Sequence, residues 1–172
     1  MIRRQFLIQL GLVSGALLLP AIRIAANSAE EASMITPLKK SKAEWQELLS
    51  KAEYHILFEE GTEPAGSSPL DKEKREGTFI CAACYLPLFE SEAKYNSHTG
   101  WPSFYQPIAG HVATKQDFKL IWPRTEYHCA RCGGHQGHVF DDGPEPTGKR
   151  YCNNGLALNF IPAGDPLPQL RD

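Results

Sequence analysis

Four of the five cysteines form two closely spaced pairs, Cys81 with Cys84 and Cys129 with Cys132. Zinc prefers four tetrahedral ligands, and thiolates are among the best of them. A spacing of two intervening residues lets both sulfurs of one turn face the same ion, so we predict a structural zinc site with four cysteine ligands. Disulfides in an oxidising compartment and a thioredoxin-type redox pair are the alternatives. The presence of two such pairs favours the metal over both.

The fifth cysteine, Cys152, has no partner in this scheme and follows Arg150 by two residues. In an extended segment, residues two apart lie on the same side of the chain. A nearby positive charge favours the thiolate, which is the nucleophilic form of cysteine. Cys152 is therefore either a reactive thiol or an inert buried one, and the neighbouring arginine alone does not decide between them.

Two histidines, His135 and His138, follow the second cysteine pair directly. Histidine titrates near neutral pH and can hold or release a proton there. Both could also bind the metal, but the cysteines already complete a tetrahedral shell. A single histidine usually has no special role, but two of them beside a glycine-rich cysteine pair are less ordinary.

Secondary structure is predicted from capping boxes and hydrophobic spacing. Ser41 with Glu44 and Ser50 with Glu53 predict two short helices, at about 42–49 and 51–59. Their apolar positions recur at helical spacing: Trp45, Leu48, Leu49, Ala52, Ile56 and Leu57. Residues 63–77 have the composition of a surface loop. Beyond Thr78, short β-branched or aromatic segments between Gly and Pro predict antiparallel strands at 78–80, 86–89, 111–113, 138–140 and 156–160.

The N-terminus has the pattern of a signal peptide over residues 1–29. Arg3 and Arg4 precede an apolar run that extends to Pro20, and small residues follow at 25–29. The arginine pair resembles a twin-arginine signal, which predicts export to the periplasm. An uncleaved membrane anchor is the alternative, although the run is shorter than the ~20 apolar residues that a span needs. Residues 30–40 are predicted to be a linker and residues 41–172 a single domain.

The charge balance excludes one class of partner. The 172 residues carry a formal net charge of −2, and the three arginines of residues 1–29 face no acid there, so the rest of the chain is more acidic still. Binding to nucleic-acid phosphates needs a basic surface, and we expect none here.

Several separate motifs together resemble the B-type methionine sulfoxide reductases, which reduce the R epimer of methionine sulfoxide in proteins. The resemblance covers about residues 43–164. It rests on Tyr54-His55, Gly61-Thr62-Glu63, both cysteine pairs, Gly100-Trp101-Pro102-Ser103-Phe104, the segment from Gly137 to Pro144, and Arg150-Tyr151-Cys152-Asn153-Asn154.

This resemblance implies a mainly β fold with two small antiparallel sheets, short N-terminal helices and a zinc site. It implies that Cys152 is the nucleophile, passing through a sulfenic acid, and that Trp101 receives the S-methyl group. His135, His138 and Asn154 would surround the sulfoxide oxygen, and Phe104 and Arg150 would complete the substrate site. The implied partners are oxidised proteins, and we expect a monomer.

The sequence departs from the family pattern at Thr99, where many members carry a second cysteine that resolves the sulfenic acid. With the other four cysteines assigned to metal, we expect an external reductant, either a thioredoxin-like protein or a small thiol. Two alternatives remain at this point: a non-catalytic zinc-ribbon-like binding module, and an exported disulfide oxidoreductase.

Overall fold

The computed structural model describes residues 35–119 and 122–172. The predicted signal peptide and the first part of the predicted linker lie outside the described residues, so export remains a prediction. Among the residues that the structure does describe, no helix is long and apolar enough to cross a membrane.

The two predicted helices are present as α1 (Lys42–Leu48) and α2 (Lys51–Glu59). Both capping boxes form; in the first, the Ser41 hydroxyl accepts the Glu44 N–H and the Glu44 carboxylate accepts the Ser41 N–H at 2.7 Å. Trp45 of α1 stacks on Phe58 of α2 at 5.0 Å, which holds the pair together. Two positions of the predicted apolar stripe, Leu48 and Ala52, are exposed, because each helix buries a narrower face than its sequence pattern indicates.

Nine strands lie in the described residues beyond the helices, and they confirm the predicted fold class of two small antiparallel sheets. In chain order they are β1 (Gly77–Cys81), β2 (Pro87–Glu90), β3 (Lys94–Tyr95), β4 (Ser103–Phe104), β5 (Val112–Asp117), β6 (Arg124–Cys129), β7 (His135–Phe140), β8 (Arg150–Asn153) and β9 (Leu158–Pro162). One sheet has the order β2-β1-β9, and the other has the order β3-β4-β8-β7-β6-β5. Single-turn 3₁₀ helices lie at Pro69–Lys72, Ser91–Ala93 and Gly155–Ala157.

Aromatic side chains fill the space between the two sheets. Phe104 of the larger sheet stacks on Phe89 of the smaller one at 4.1 Å and meets Phe79 edge-on at 5.0 Å. Phe104 is fully buried among these rings. The structure thus places Phe104 in the core and not at a substrate surface, which corrects the role that the resemblance assigned to it.

One row of directly opposed residues crosses the larger sheet and places the candidate site residues on one face. Cys152 on β8 lies opposite Ser103 on β4 and opposite His138 on β7, and His138 in turn lies opposite Glu126 on β6. Directly opposed residues of antiparallel strands project to the same face, with their Cβ atoms about 5 Å apart. The sheet therefore brings a thiol, an imidazole and a carboxylate together from three separate parts of the sequence.

Candidate active site and metal centre

The four paired cysteines converge on one point. Their sulfurs all lie within 4.8 Å of one another. Contacts form across the pairs, with Cys81 Sγ 3.6 Å from Cys132 Sγ and Cys84 Sγ 3.5 Å from Cys129 Sγ. A disulfide needs about 2.05 Å, whereas a tetrahedral ion with metal–sulfur bonds of about 2.3 Å separates its sulfurs by roughly 3.8 Å. The cluster therefore has the geometry of a closed metal site with four thiolate ligands and not that of two disulfides.

The cysteine cluster joins the two sheets and connects to the strand that carries Cys152. Cys81 ends β1 of the smaller sheet, and Cys129 ends β6 of the larger one. The buried Gln136 amide lies at 3.6 Å from Cys81 Sγ, and its Oε1 lies at 3.4 Å from Asn153 Nδ2. Asn153 is the immediate neighbour of Cys152, so an ion bound by the cluster would also steady the end of β8.

Cys152 opens into a small cavity of about 140 Å³. At roughly 30 Å³ per water molecule, this is room for about five non-hydrogen atoms, the number in a methionine sulfoxide side chain beyond Cα. The lining residues are Thr62, Trp101, Arg124, Gly137, His138, Phe140, Cys152, Asn153 and Asn154. The structure thus unites four residues that the sequence predicted for the site: Cys152, His138, Trp101 and Asn154.

Burial raises the pKa of the half-buried Cys152 thiol, and this effect outweighs the lowering by the Arg150 charge and the Thr99 hydroxyl. The Arg150 guanidinium is itself bound by both oxygens of Asp142, each at 2.8 Å, and lies over the Phe140 ring at 4.3 Å. Arg150 favours the thiolate, as its position in the sequence predicted. Its effect is only partial, so the resting thiol keeps its proton at neutral pH.

His138 is held in one orientation by a carboxylate. Its Nε2–H donates to Asp117 Oδ2 at 2.8 Å, and Arg124 binds the same oxygen at 2.7 Å. Burial lowers the pKa of His138, and the hydrogen bond to Asp117 offsets this only in part. His138 is therefore neutral at pH 7, with Nε2 protonated and Nδ1 able to accept a proton.

His135 is almost fully buried beside His138, with the two rings 5.5 Å apart. Its Nδ1 lies 2.8 Å from Glu126 Oε1, whereas its Nε2 has no hydrogen-bond partner among the described residues. Burial raises the pKa of Glu126, but hydrogen bonds to His128 and His135 outweigh it and hold the pKa at about 2. Glu126 is thus ionised, and it fixes the ring of His135 behind His138. His135 does not line the cavity at Cys152.

Asn154 makes its hydrogen bonds to the main chain. Its Oδ1 accepts the Glu63 N–H at 3.0 Å, and its Nδ2 donates to the Gln136 carbonyl at 3.0 Å. Trp101 Nε1–H donates to the Glu63 carbonyl at 3.1 Å. Asn154 therefore positions the loop that carries Glu63, and this loop in turn fixes Trp101 at the cavity wall.

Glu63 is a site residue that the sequence reasoning did not single out. Its buried carboxylate accepts the N–H groups of Gly155 at 2.6 Å and Leu156 at 3.0 Å, at the start of the 3₁₀ helix that follows β8. Buried glutamates usually have a charged partner, yet the partners of this one are main-chain groups. Its place in the Gly61-Thr62-Glu63 motif was the signal that could have identified it. Glu63 was not singled out because an acidic residue in a predicted surface loop is usually an ordinary solvated charge.

Comparison with known proteins gives the chain its family. The SelR domain matches residues 49–162. A protein of Methanosarcina barkeri named peptide methionine sulfoxide reductase MsrB is 48% identical over 124 residues, which cover 72% of this chain and 87% of that protein. A protein of Leptospira interrogans with the same name is 49% identical over 124 residues, covering 72% of this chain and 95% of that protein.

A chloroplast relative extends these matches to plants. Peptide methionine sulfoxide reductase B1 of Arabidopsis thaliana is 49% identical over 121 residues, which cover 70% of this chain and 60% of that protein. The domain match spans more than half of the chain, and it includes the cysteine cluster and every residue of the Cys152 cavity. The chain therefore belongs to the SelR domain family of B-type methionine sulfoxide reductases.

Proposed function

We propose that this protein reduces the R epimer of methionine sulfoxide in peptides and proteins, with Cys152 as the nucleophile and with Zn²⁺ held by the four clustered cysteines. One observation carries the proposal: Cys152 shares a cavity of side-chain size with Trp101 and His138, and it is the one cysteine among the described residues that lines this cavity. The zinc is structural in this scheme, because four thiolates leave no open coordination position for a substrate.

The chemical step transfers one oxygen atom. Cys152 Sγ attacks the electrophilic sulfur of the sulfoxide and bonds to it, the sulfur–oxygen bond of the substrate breaks as the oxygen passes to Sγ, and the transient sulfur–sulfur bond then breaks to leave Cys152 as a sulfenic acid. The substrate sulfur gains two electrons and leaves as a thioether, while Cys152 loses two electrons. The thiol proton ends on the sulfenic oxygen, so the step needs no external proton.

His138 is the group that moves this proton. It lies opposite Cys152, it is neutral, and its Nε2–H is committed to Asp117. Nδ1 can accept the proton as Sγ attacks and can return it to the departing oxygen. His135, held by Glu126 on the neighbouring strand β6, supports this function from behind His138 and does not contact the reacting atoms.

Selectivity for one epimer follows from fixed walls around the sulfoxide. The S-methyl group packs on Trp101, the oxygen faces His138, and the sulfur faces Cys152. The opposite epimer can satisfy only two of these three contacts at once. Trp101 is suited to this role because its indole is tied to the Glu63 carbonyl and cannot rotate away.

Regeneration of Cys152 needs thiols from outside the chain. The other four cysteines are engaged in the cysteine cluster, and the position where many family members carry the resolving cysteine is Thr99, whose side chain hydrogen-bonds to Cys152 but has no thiol. A first external thiol displaces water from the sulfenic acid to give a mixed disulfide, and a second releases Cys152 together with an oxidised disulfide product. A thioredoxin-like protein or a small thiol would serve.

The deciding experiment assays the two epimers separately with the wild-type protein and Cys152→Ser, using dithiothreitol as reductant. The wild type should reduce the R epimer only, and Cys152→Ser should reduce neither epimer while keeping wild-type zinc content and Tm. Reduction of the R epimer by the serine variant at the native rate would refute the assignment.

Intact-mass measurement after one turnover without reductant separates the two regeneration schemes. The wild type should gain the mass of one oxygen or carry a mixed adduct at Cys152. An internal disulfide that includes Cys152 would refute the external-thiol scheme.

Export is a separate proposal that rests on residues 1–29 alone. We propose that the protein is carried to the periplasm by the twin-arginine-like signal. Replacement of Arg3 and Arg4 by lysine should then leave the full-length precursor in the cytoplasmic fraction, and an unchanged distribution would refute the proposal.

A further inference from the structure

A second cavity of about 350 Å³ adjoins the one at Cys152. The two cavities share Thr62, Arg124 and His138 in their walls. The rest of the second cavity comes mainly from the β5–β6 hairpin, with Phe118 at its outer part and His135 at its base. The reactive cavity is thus the inner end of a longer cleft, and the outer part has more than twice the inner volume.

The charges around the second cavity are paired among themselves. Lys115 Nζ lies 2.6 Å from Glu60 Oε1, and Lys119 pairs with the other oxygen of the same carboxylate. Arg124 is bound to Asp117. Glu126, the remaining charged residue of this wall, lies 3.9 Å from Lys115 Nζ. The three basic and three acidic residues of the wall therefore balance, which favours a ligand without net charge.

The hairpin also carries two large aromatic side chains that are exposed to solvent. Phe118 is 71% exposed and Trp122 is 80% exposed. Among the large apolar side chains exposed in residues 35–119 and 122–172, these two are the only aromatic ones; the others are leucines. Phe118 also lines the second cavity, and Trp122 lies four residues further along the same β5–β6 connection. Exposed aromatic side chains next to a cleft are typical of surfaces that bind another chain, where Trp and Tyr in particular contribute much of the binding energy.

The size of the inner cavity explains why an outer site is needed. About 140 Å³ holds one side chain but none of the backbone that carries it. A methionine sulfoxide within a polypeptide must therefore leave the rest of its chain outside the inner cavity. The second cavity shares three wall residues with the inner cavity and is placed to take that chain.

We propose that the second cavity, together with Phe118 and Trp122, binds the uncharged polypeptide segment that flanks the oxidised methionine. The substrate class of this subsite is an unfolded or flexible protein segment with apolar residues next to the sulfoxide. The inference rests on the proposed reductase function and assigns a specificity role to the β5–β6 hairpin.

The test compares two substrates in each variant. One is the N-acetylated methionine-R-sulfoxide amide, and the other is a seven-residue uncharged peptide with a central methionine-R-sulfoxide and apolar neighbours; dithiothreitol is the reductant for both. In Phe118→Ala and in Trp122→Ala, the ratio of kcat/KM for the peptide to kcat/KM for the amide should fall about tenfold. Leu167→Ala, which truncates another exposed apolar side chain, should leave the ratio at the wild-type value.

Each other outcome has a distinct meaning. An unchanged ratio in both aromatic variants, or an equal fall in the leucine control, would overturn the subsite. If the ratio of kcat/KM falls only when a thioredoxin-like protein replaces dithiothreitol, the hairpin binds the reductant. That result would also overturn the proposed substrate subsite. If the wild type reduces neither substrate, the proposed reductase function itself is refuted, and this result is distinct from a failure of the subsite alone.

Discussion

A single methyl group added at Gly137 should disrupt the spacing of the two strands that carry the site. It lies on β7 opposite Asn153, and a Cβ placed on it would stand 1.9 Å from the Cys152 carbonyl oxygen. Real Cβ contacts essentially never fall below 3.0 Å, so Gly137→Ala must push β7 and β8 apart by about 1.1 Å. The atom that must give way is main chain, which no change of side-chain rotamer can relieve.

The movement lowers the free energy of unfolding because it weakens hydrogen bonds between β7 and β8. Separating the strands weakens backbone hydrogen bonds on either side of Cys152, and each such bond contributes about 1 kcal/mol to the free energy of unfolding. Loss of two to four of them would lower that free energy by about 2–4 kcal/mol. Displacing the nucleophile by about 1 Å should lower kcat/KM about a hundredfold.

Urea unfolding and the R-epimer assay measure the two effects of Gly137→Ala. Gly148→Ala is the matched control, because a Cβ there meets no atom within 4 Å. That control should lose only about 1 kcal/mol, from its left-handed backbone, and keep its activity. If Gly137→Ala stays within about 0.5 kcal/mol of wild type and retains its activity, the reasoning about strand spacing is wrong.

Three further perturbations test the metal cluster, the buried glutamate and the reactive thiol. Removing the bound metal with a chelator should lower Tm by more than about 10 °C, because the cluster ties the two sheets together; Cys152→Ser should keep the full metal content, and a metal-free protein of unchanged Tm would contradict the structural role. Glu63→Ala should destabilise the fold by about 3 kcal/mol in urea unfolding, since two backbone N–H groups lose a charged acceptor, whereas Glu63→Gln should cost less; equal losses in the two variants would argue against a role for the carboxylate as acceptor. Alkylation of Cys152 by iodoacetamide should accelerate with pH and level off only above the ordinary thiol range, because burial raises its pKa, and Arg150→Gln should slow alkylation severalfold at pH 8 because the charge that lowers this pKa is lost; equal rates in the two proteins would contradict that electrostatic role.

The sequence predicted the local features of this protein well because their causes are local. Both helices begin at their capping boxes, and the two cysteine pairs form the cluster that their spacing indicates. The strand β6 was not predicted, although Thr125, Tyr127 and Cys129 alternate with polar residues along it. Glu126 and His128 are the polar residues of that alternation, and they contact one another on the other face of the strand.

Residues whose role depends on distant contacts could not be read from the sequence. Phe104 lies in a substrate motif, yet it packs on Phe89 in the core, because β4 has only two residues and they face opposite sides of the sheet. Ser103 is the residue that lies beside Cys152. Asp117 is a similar case: nothing near it in the sequence indicates that it will hold His138, which is brought to it across β6.

The position of Cys152 is fixed from several directions at once, and this bears on how a protonated thiol can be the nucleophile. Asn153, next along β8, accepts the Tyr127 hydroxyl at 2.6 Å and contacts the Gln136 amide that reaches Cys81. The main chain next to Cys152 is therefore held in place before a substrate arrives, which lowers the entropic cost of placing the thiol for attack.

The raised pKa of Cys152 has a further consequence for the reaction. A thiol that keeps its proton reacts slowly with unspecific oxidants, since oxidation follows thiolate character. In the proposed reaction, the same proton is the one that the sulfoxide oxygen takes up when its bond to sulfur breaks, and neutral His138, which lies opposite Cys152, is the proposed carrier. On this proposal, the burial that weakens Cys152 as a free nucleophile also keeps the needed proton on it, and we expect activity to depend on His138 far more than on a preformed thiolate.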